Sequence, residues 1–392
     1  MARAPSVSSP LTVAAALNLE HAHGQGILRG IARAANEQAN VLLLRFSHTR
    51  LGERAWLESL DADGLIVKVT TEEDAARLER LNLPVIDVGA ECAQHKLARV
   101  TTDNVAVGEL AAGYFLRRGF RQLGYVGIRG HGASELRRDG FLRAVAKAGL
   151  PGAWFEDAFD DANRRARLAV GRRLRRWLET LPIPAGIFCA DDPIATSLAE
   201  LCVATGRRVP ADASVLGCNN DLTEIRSASI ETSSIDLNTE RIGYEAMQLM
   251  HSWLREGRRP PAATTFRPLK IVTRRSTDGF AVTDESVLLA LEFIHERTAG
   301  TFSVEDVARA AGVSRRLLEM RFRKQLDCSI YGEVQRLRFE RAVALLANRD
   351  LRLVDVAREA GFSSPPKLSA AFQANYHVSP SRFRKRHHGS PK

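Results

Sequence analysis

VEDVARAAGVS (Val304–Ser314) and LVDVAREAGFS (Leu353–Ser363) are two copies of one pattern. Asp306, Val307, Ala308, Arg309, Ala311 and Gly312 of the first copy recur as Asp355, Val356, Ala357, Arg358, Ala360 and Gly361 of the second. Each copy runs on to a Leu and a Phe, Leu318 and Phe322, then Leu368 and Phe372, so the period is 49–50 residues. Val304, Val307, Ala308 and Ala311 fall on one helical face. Ala308 is small enough for a following helix to cross close by. Gly312 supplies a left-handed turn residue, and Ser314 is a natural N-cap for the next helix. On that helix Leu318 and Phe322, four apart, face inward, which turns Arg315, Arg316, Glu319 and Arg323 outward.

Helix, turn and outward-facing second helix make a helix-turn-helix, at about 303–325 and again at 352–375. The second helix of such a motif enters the major groove of double-stranded DNA. There Arg pairs with guanine and Glu accepts from the amino group of cytosine. One copy alone is equally an ordinary helical hairpin. Two copies, joined by a helix such as Val334–Ala347, suit successive turns of one DNA face about 34 Å apart. The charge agrees. The chain carries a net +10 over 392 residues, and the stretch from Asp284 onward holds 19 Lys and Arg against 13 Asp and Glu. A basic excess favours an acidic partner.

Upstream the pattern is different. Between residue 11 and about 270, short apolar runs alternate with amphipathic stretches. The strands expected are Leu11–Leu17, Val41–Phe46, Gly64–Val67, Val85–Val88, Leu123–Gly127, Gly186–Cys189, Ser214–Gly217 and Thr232–Ile235. Fully apolar strands alternating with helices imply parallel sheets covered on both faces. This length suits two α/β lobes with a cleft between them. LTVAAALNL (Leu11–Leu19) mimics a signal-peptide core, but Asn18 and Glu20 interrupt it, and it reads as the first strand. RRSTDGFAVT (274–283) is polar and Gly-containing and reads as a linker. The expected organisation is a two-lobed domain at 11–273 and an all-α domain at 284–388.

Several classes are excluded. No apolar run approaches 18 residues, so a membrane span is not expected. Cys92, Cys189, Cys202, Cys218 and Cys328 are odd in number and scattered, with no zinc spacing; neither a disulfide framework nor a metal site is expected, and a cytoplasmic setting fits. HAHGQGILRG lacks the register of a dinucleotide-binding turn, and GxSxG, Walker and HExxH motifs are missing, so no cofactor and no enzyme activity is expected.

AREAGFSS…LSAAFQANYHVSPSRFR, with Ser379, Pro380, Phe383 and Arg384 closing it, resembles the AraC-type DNA-binding domain. Pro365, Pro366 and Ala370 depart from the long polar side chains usual there, and His377 stands where Gly is usual. For the second copy this leaves Ser364 and Lys367, mainly for phosphate or limited base contact. The N-terminal region resembles the effector domain of LacI/GalR regulators and periplasmic sugar-binding proteins. The resemblance rests on TTDN (101–104), GYVGIRG (124–130), ELRRDGF (135–141), GIFCADD (186–192) and SVLGCNND (214–221). The pair implies a periplasmic-binding-protein-like effector domain and a transcription regulator controlled by a small sugar, a pentose such as xylose. It further implies an activator, a homodimer and contact with RNA polymerase. A repressor answering a non-sugar ligand is the alternative; a transport binding protein would have no use for the DNA-binding end.

Sugar hydroxyls both donate and accept, so their recognition needs planar polar groups at the C-terminal ends of parallel strands. Asp191 and Asp192 follow one strand, and Asn219 and Asn220 another. Asp103 follows a short extended segment, and Arg137 opens a helix near a loop. The resemblance makes Asp103, Arg137, Asp191 or Asp192, and Asn219 effector contacts; Asn219 stands where Asp is common. An Asp after a strand is as often a helix N-cap, and Pro193 puts Asp192 in that position. His21 and His23 follow the first strand, facing the expected cleft. Phe159 or Trp154 could stack on a sugar face or serve the core.

Overall fold

The computed structural model describes residues 10–388 except 39, 49–50, 52, 93, 160–163, 283, 299, 301, 347–350 and 377. His377 therefore lies outside the described residues.

LTVAAAL (Leu11–Leu17) forms β1, buried at every position but Thr12. A strand without a polar face needs cover on both sides, and the first sheet supplies the setting. Its order is β11 (Ala263–Phe266), β5 (Ala98–Thr102), β4 (Val85–Asp87), β3 (Gly64–Val67), β1 and β2 (Val41–Ser47), all parallel. The second sheet runs β12 (Lys270–Val272), β10 (Ser233–Asp236), β9 (Ala213–Cys218), β8 (Ala185–Cys189), β6 (Gln122–Ile128) and β7 (Gly152–Asp157). Only its edge pair β10–β12 is antiparallel. Each sheet makes one lobe. The first lobe contributes α1 (Ala22–Glu37), α2 (Arg54–Glu58) and α3 (Glu72–Glu79) between its strands. The second contributes α5 (Gly132–Lys147), α6 (Arg164–Thr180), α7 (Asp192–Ala204) and α8 (Leu222–Ser227).

The chain passes between the sheets three times: through α4 (Asn104–Arg117), through α9 (Thr239–Glu256), and directly from β11 to β12. Although α9 follows a strand of the second sheet, it buries Ile242, Ala246, Met247 and Met250 in the first lobe's core with Ile27 and Ile31 of α1. The two helices meet backbone to backbone. A Cβ on Gly30 would lie 1.8 Å from the Glu240 carbonyl oxygen, and one on Gly243 1.9 Å from that of Ile27.

The eight expected strands form, with ends shifted by a residue or two at most, and four more join them. β5, expected only as a short extended segment, is ARVTT; β7, β11 and β12 fall outside the expected strands. These are edge or near-edge strands with polar positions, so neither a continuous apolar run nor a clean alternation marks them. The stretch read as a linker begins as part of the second lobe. Arg275–Thr277 forms a 3₁₀ turn with Ser276 and Thr277 fully buried. The Ser276 hydroxyl donates to the Val215 carbonyl at 2.5 Å and accepts from the Ser233 N–H at 2.8 Å. By contacts the first compact unit closes at Asp278, and the second comprises Gly113–Arg121 and the chain from Gly279 onward.

The second unit is helical: α10 (Glu285–Glu296), α11 (Val304–Ala310), α12 (Arg315–Leu326), α13 (Ile330–Leu345), α14 (Leu353–Glu359), α15 (Pro365–Tyr376) and α16 (Pro380–His388). The first helix-turn-helix is α11–α12. Ser303 and Asp306 form a reciprocal capping box, Gly312 takes φ +69°, and Ser314 caps α12. Val307, Ala308, Leu318 and Phe322 close one core with Val287, Leu291 and Ile294 of α10. The second is α14–α15, with Gly361 at φ +83°. Around it Phe339, Phe372, Tyr376 and Phe383 form an aromatic cluster with centroids 4.8–6.0 Å apart.

Because backbone meets backbone at α1–α9, no rotamer change can relieve a new methyl there. Gly30→Ala should destabilise the protein by about 1–3 kcal/mol or more. Urea unfolding of the two forms measures it; equal midpoints would show that the helices can separate freely.

Candidate functional site

Between the lobes lies a cavity of about 230 Å³. Its walls come from the C-terminal ends of strands in both sheets, where open α/β sheets hold ligands. His21 and His23 follow β1, Lys68 follows β3, and Glu91 follows β4. Ser134 and Arg137 lie on α5, Phe159 follows β7, Asp191 follows β8, and Asn219 and Asp221 follow β9.

Arg137 is buried, with 7% of its surface exposed. Its Nε donates to Asn104 Oδ1 at 2.8 Å, and Nη1 donates to the Ala190 carbonyl. The guanidinium thereby fixes the start of α4 and the end of β8 while lining the cavity. Asp191 also lines it; burial raises its carboxyl above the ordinary range, and its Oδ1 caps α7 through the Ile194 N–H at 3.0 Å. Asn219 takes φ +104°, a left-handed conformation that Asn tolerates better than most residues, and faces the cavity. Its neighbour Asn220 instead accepts from Arg274 at 2.7 Å. Burial drives the His23 imidazole down to about 3, helped by Lys68, so the ring is neutral. Its buried Nδ1 has no hydrogen-bond partner among the described residues. Phe159 lines the cavity half-buried.

Three expected contacts stand elsewhere. Asp103 is not in the cavity wall: its carboxylate accepts the Ala106 N–H at 3.0 Å as the cap of α4, and Asn104 lines the cavity in its stead. Asp192 has no exposed surface and sits behind the wall, accepting the Asp221 N–H at 2.7 Å. Burial pushes its carboxyl up to about 8. Trp154 is 55% exposed on β7 and does not line the cavity.

The wall also holds groups beyond those expected. Lys68 and Glu91 pair at 2.7 Å, and His131 Nε2 lies 3.4 Å from the same carboxylate. Burial works against the Glu91 charge, yet Lys68 and His131 hold the carboxyl well below its ordinary range. The strand-end rule that selected Asp191 would equally have selected Lys68 and Glu91. Two of these groups tie the lobes together. Asp221 Oδ2 accepts the Ala22 N–H at 2.9 Å, and the Glu91 carbonyl accepts the Gly132 N–H at 2.9 Å.

In the helical unit, Arg316 and Arg323 are exposed on α12. Arg315 is exposed too, but it pairs with Glu305 and, at 2.9 Å, with Glu319. On α15, Lys367 is exposed and Ser364, just before it, is half-buried. Gln373 is exposed on the same helix and was not expected; the 50-residue offset that maps Phe322 onto Phe372 also maps Arg323 onto Gln373. Among the described residues, no helix is long and apolar enough to cross a membrane. Nor do three or more His, Cys, Asp or Glu side chains gather to hold a metal ion.

A model of the periplasmic binding protein-like domain matches residues 112–277, and one of a helix-turn-helix domain matches residues 307–386. The xylose operon regulatory protein of Haemophilus influenzae is 26% identical over 336 residues, covering 84% of this chain and 86% of that protein. That of Escherichia coli K12 is 24% identical over 381 residues, covering 94% and 95%. A solved structure described as the xylose-binding transcription activator XylR matches with a TM-score of 0.62 at 22% identity, over 97% of this chain and 99% of that one. These similar proteins are transcription regulators, not enzymes.

Asp192 makes stability pH-dependent in a definite sense. Its folded carboxyl titrates near 8 against an ordinary 3.8. Its stabilising contribution is thus complete below about pH 4 and is lost as pH rises through about 8. Asp192→Asn cannot ionise, so urea unfolding across that range should show the variant gaining on the wild type as pH rises. Parallel curves would contradict a protonated Asp192.

Proposed function

We propose that this XylR-like transcription regulator, a periplasmic-binding-protein-like domain joined to an AraC-type DNA-binding domain, takes a pentose in its cleft and activates transcription in response. The observation that carries the reading is the composition of the cavity. Arg137, Asp191 and Asn219 are planar polar groups, each anchored by a helix start or a strand end, beside the half-buried ring of Phe159. At about 230 Å³ the space is smaller than the 300 Å³ and upward typical of drug-sized ligands, and suits a monosaccharide. Neutral His23 and the remaining N–H groups of Arg137 offer hydroxyls what they need, an acceptor or donor at each oxygen. The similarity to a xylose-binding transcription activator supports a pentose such as xylose.

In this reading the helical unit holds double-stranded DNA and works in the cytoplasm, where that DNA is. Arg316, Arg323 and Glu319 read bases from the first recognition helix, with Arg315 released from its carboxylate partners on docking. Ser364 and Lys367 hold phosphate from the second. The chain acts as a homodimer on adjacent sites. Sugar binding alters how the two protomers space their reading heads, and RNA polymerase is the partner of the activated state.

A thermal-shift panel of free pentoses and hexoses tests the cleft. The true effector at a hundredfold over Kd should add about 2.7 kcal/mol. Arg137→Ala should abolish that response and also cost about 1.5–3 kcal/mol of stability, since it strips charged hydrogen bonds from Asn104 and Ala190. Should no sugar stabilise the wild type, the sugar assignment falls. For the DNA unit, Arg316→Ala should relax base preference in one half-site and cost about 1–3 kcal/mol there. Binding-site selection from random DNA reads this out, and an unchanged preference removes Arg316 from the readout.

A further inference from the structure

One helix of the second lobe carries charge that neither the cleft nor the core uses. RRARLAVGRRLRR, residues 164–176, holds seven arginines and no acidic residue. The inward face of α6 is ordinary. Val170, Leu174 and Leu178 are buried, and Trp177 packs on Phe155 with centroids 6.0 Å apart. Among the described side chains, Arg173 donates to Asp157 at 2.6 Å, Arg175 donates to Glu179 at 3.0 Å, and Arg165 is also engaged. Arg172 and Arg176 are exposed, one turn apart, on the side opposite Leu174 and Leu178. Arg165 is exposed at the beginning of the helix.

A helix face that only meets water is usually laced with opposite charges three and four apart. This one places like charges there. Arg172 neighbours Arg175 and Arg176, and Arg173 neighbours Arg176; each such pair opposes helix formation by a few tenths of a kcal/mol. The first turn of α6 contains no acidic residue, the kind that the helix dipole favours there. The contrast with other helices of the same unit is sharp. α7, DPIATSLAELCVA, has no Lys or Arg, and α3 reads EEDAARLE. Local stability disfavours the stripe, so its rationale lies in what it meets.

We infer that the exposed face of α6, through Arg172 and Arg176, contacts the phosphate backbone of DNA without regard to sequence, adding to the hold of the helix-turn-helix unit. The inference rests on the DNA-binding reading above. For a chain already held on a duplex by its reading heads, any further contact with that duplex is intramolecular. Two phosphate contacts too weak to act alone then count toward the total. Guanidinium and phosphate are complementary in charge and in hydrogen-bond geometry.

The test uses the full chain and a random-sequence duplex of several helical turns, with affinity measured across a salt series. Each phosphate neutralised contributes about 0.9 to the slope of log K against log salt. Arg172→Gln/Arg176→Gln should make the slope shallower by about 2 and leave base preference in site selection unchanged. Arg172→Lys/Arg176→Lys keeps the charge and should keep most of the slope. The thermal midpoint of the Gln variant should equal or exceed that of the wild type, because like-charge repulsion is relieved. An unmoved slope in the Gln variant overturns the inference while leaving the DNA-binding reading intact; a wild type that binds no duplex overturns both. Equal slope loss in the Lys variant would reject the electrostatic origin. If the Gln variant loses binding to phosphatidylserine vesicles while its duplex slope stays unmoved, the face belongs to a membrane surface instead.

Discussion

The buried guanidinium of Arg137 is the interaction on which the cleft depends. A charge removed from water needs a full set of hydrogen bonds to be tolerated. Arg137 finds two of them on neutral oxygens, Asn104 Oδ1 and the Ala190 carbonyl, which belong to the start of α4 and the end of β8. One side chain therefore sets the spacing of three elements and leaves its positive charge facing the cavity. The surroundings register that field. Arg137 is among the charges that lower His23, and it partly offsets the burial that raises Asp191.

Closure of the two lobes uses helix-cap chemistry in the same economical way. α1 begins at Ala22 after His21, whose side chain makes no cap hydrogen bond. The carboxylate that meets the Ala22 N–H is Asp221 from the other lobe, whose second oxygen caps α8 through Thr223 at 3.0 Å. An unsatisfied helix N-terminus in one lobe is thus completed by an acid of the other, and Asp221 borders the cavity while doing so.

Much of this was legible in the chain. Apolar runs such as LTVAAAL and GIFC marked the central strands because both faces of those strands are buried. The duplicated Gly and Ser signals marked the two turns because left-handed φ and N-capping restrict the residues allowed there. Side-chain direction at strand ends was less legible. Polar residues after a strand can cap the next helix, face the cavity, do both or turn inward, and composition does not say which. Asp103 took the cap and Asn104 the cavity; Asp191 did both, and Asp192 turned inward to Asp221. Lys68 and Glu91 follow adjacent strands of the first lobe and were open to the same strand-end rule; only His131, from the second lobe, joins them through the fold.

The meeting of α1 with α9 also bears on how the chain is made. The first lobe is discontinuous: its core takes α9 and its sheet takes β11 only after nearly all of the second lobe has passed. During synthesis the nascent first sheet waits with the α1 glycines and the Ile27 and Ile31 flank uncovered, and with the ladder edge of β5 unpaired. Contacts of such long sequence separation form late and slowly. The second lobe by then lacks only its edge strand β12 and the 3₁₀ turn Arg275–Thr277. In a crowded ribosomal environment that interval is when the chain is most exposed to aggregation and to chaperones.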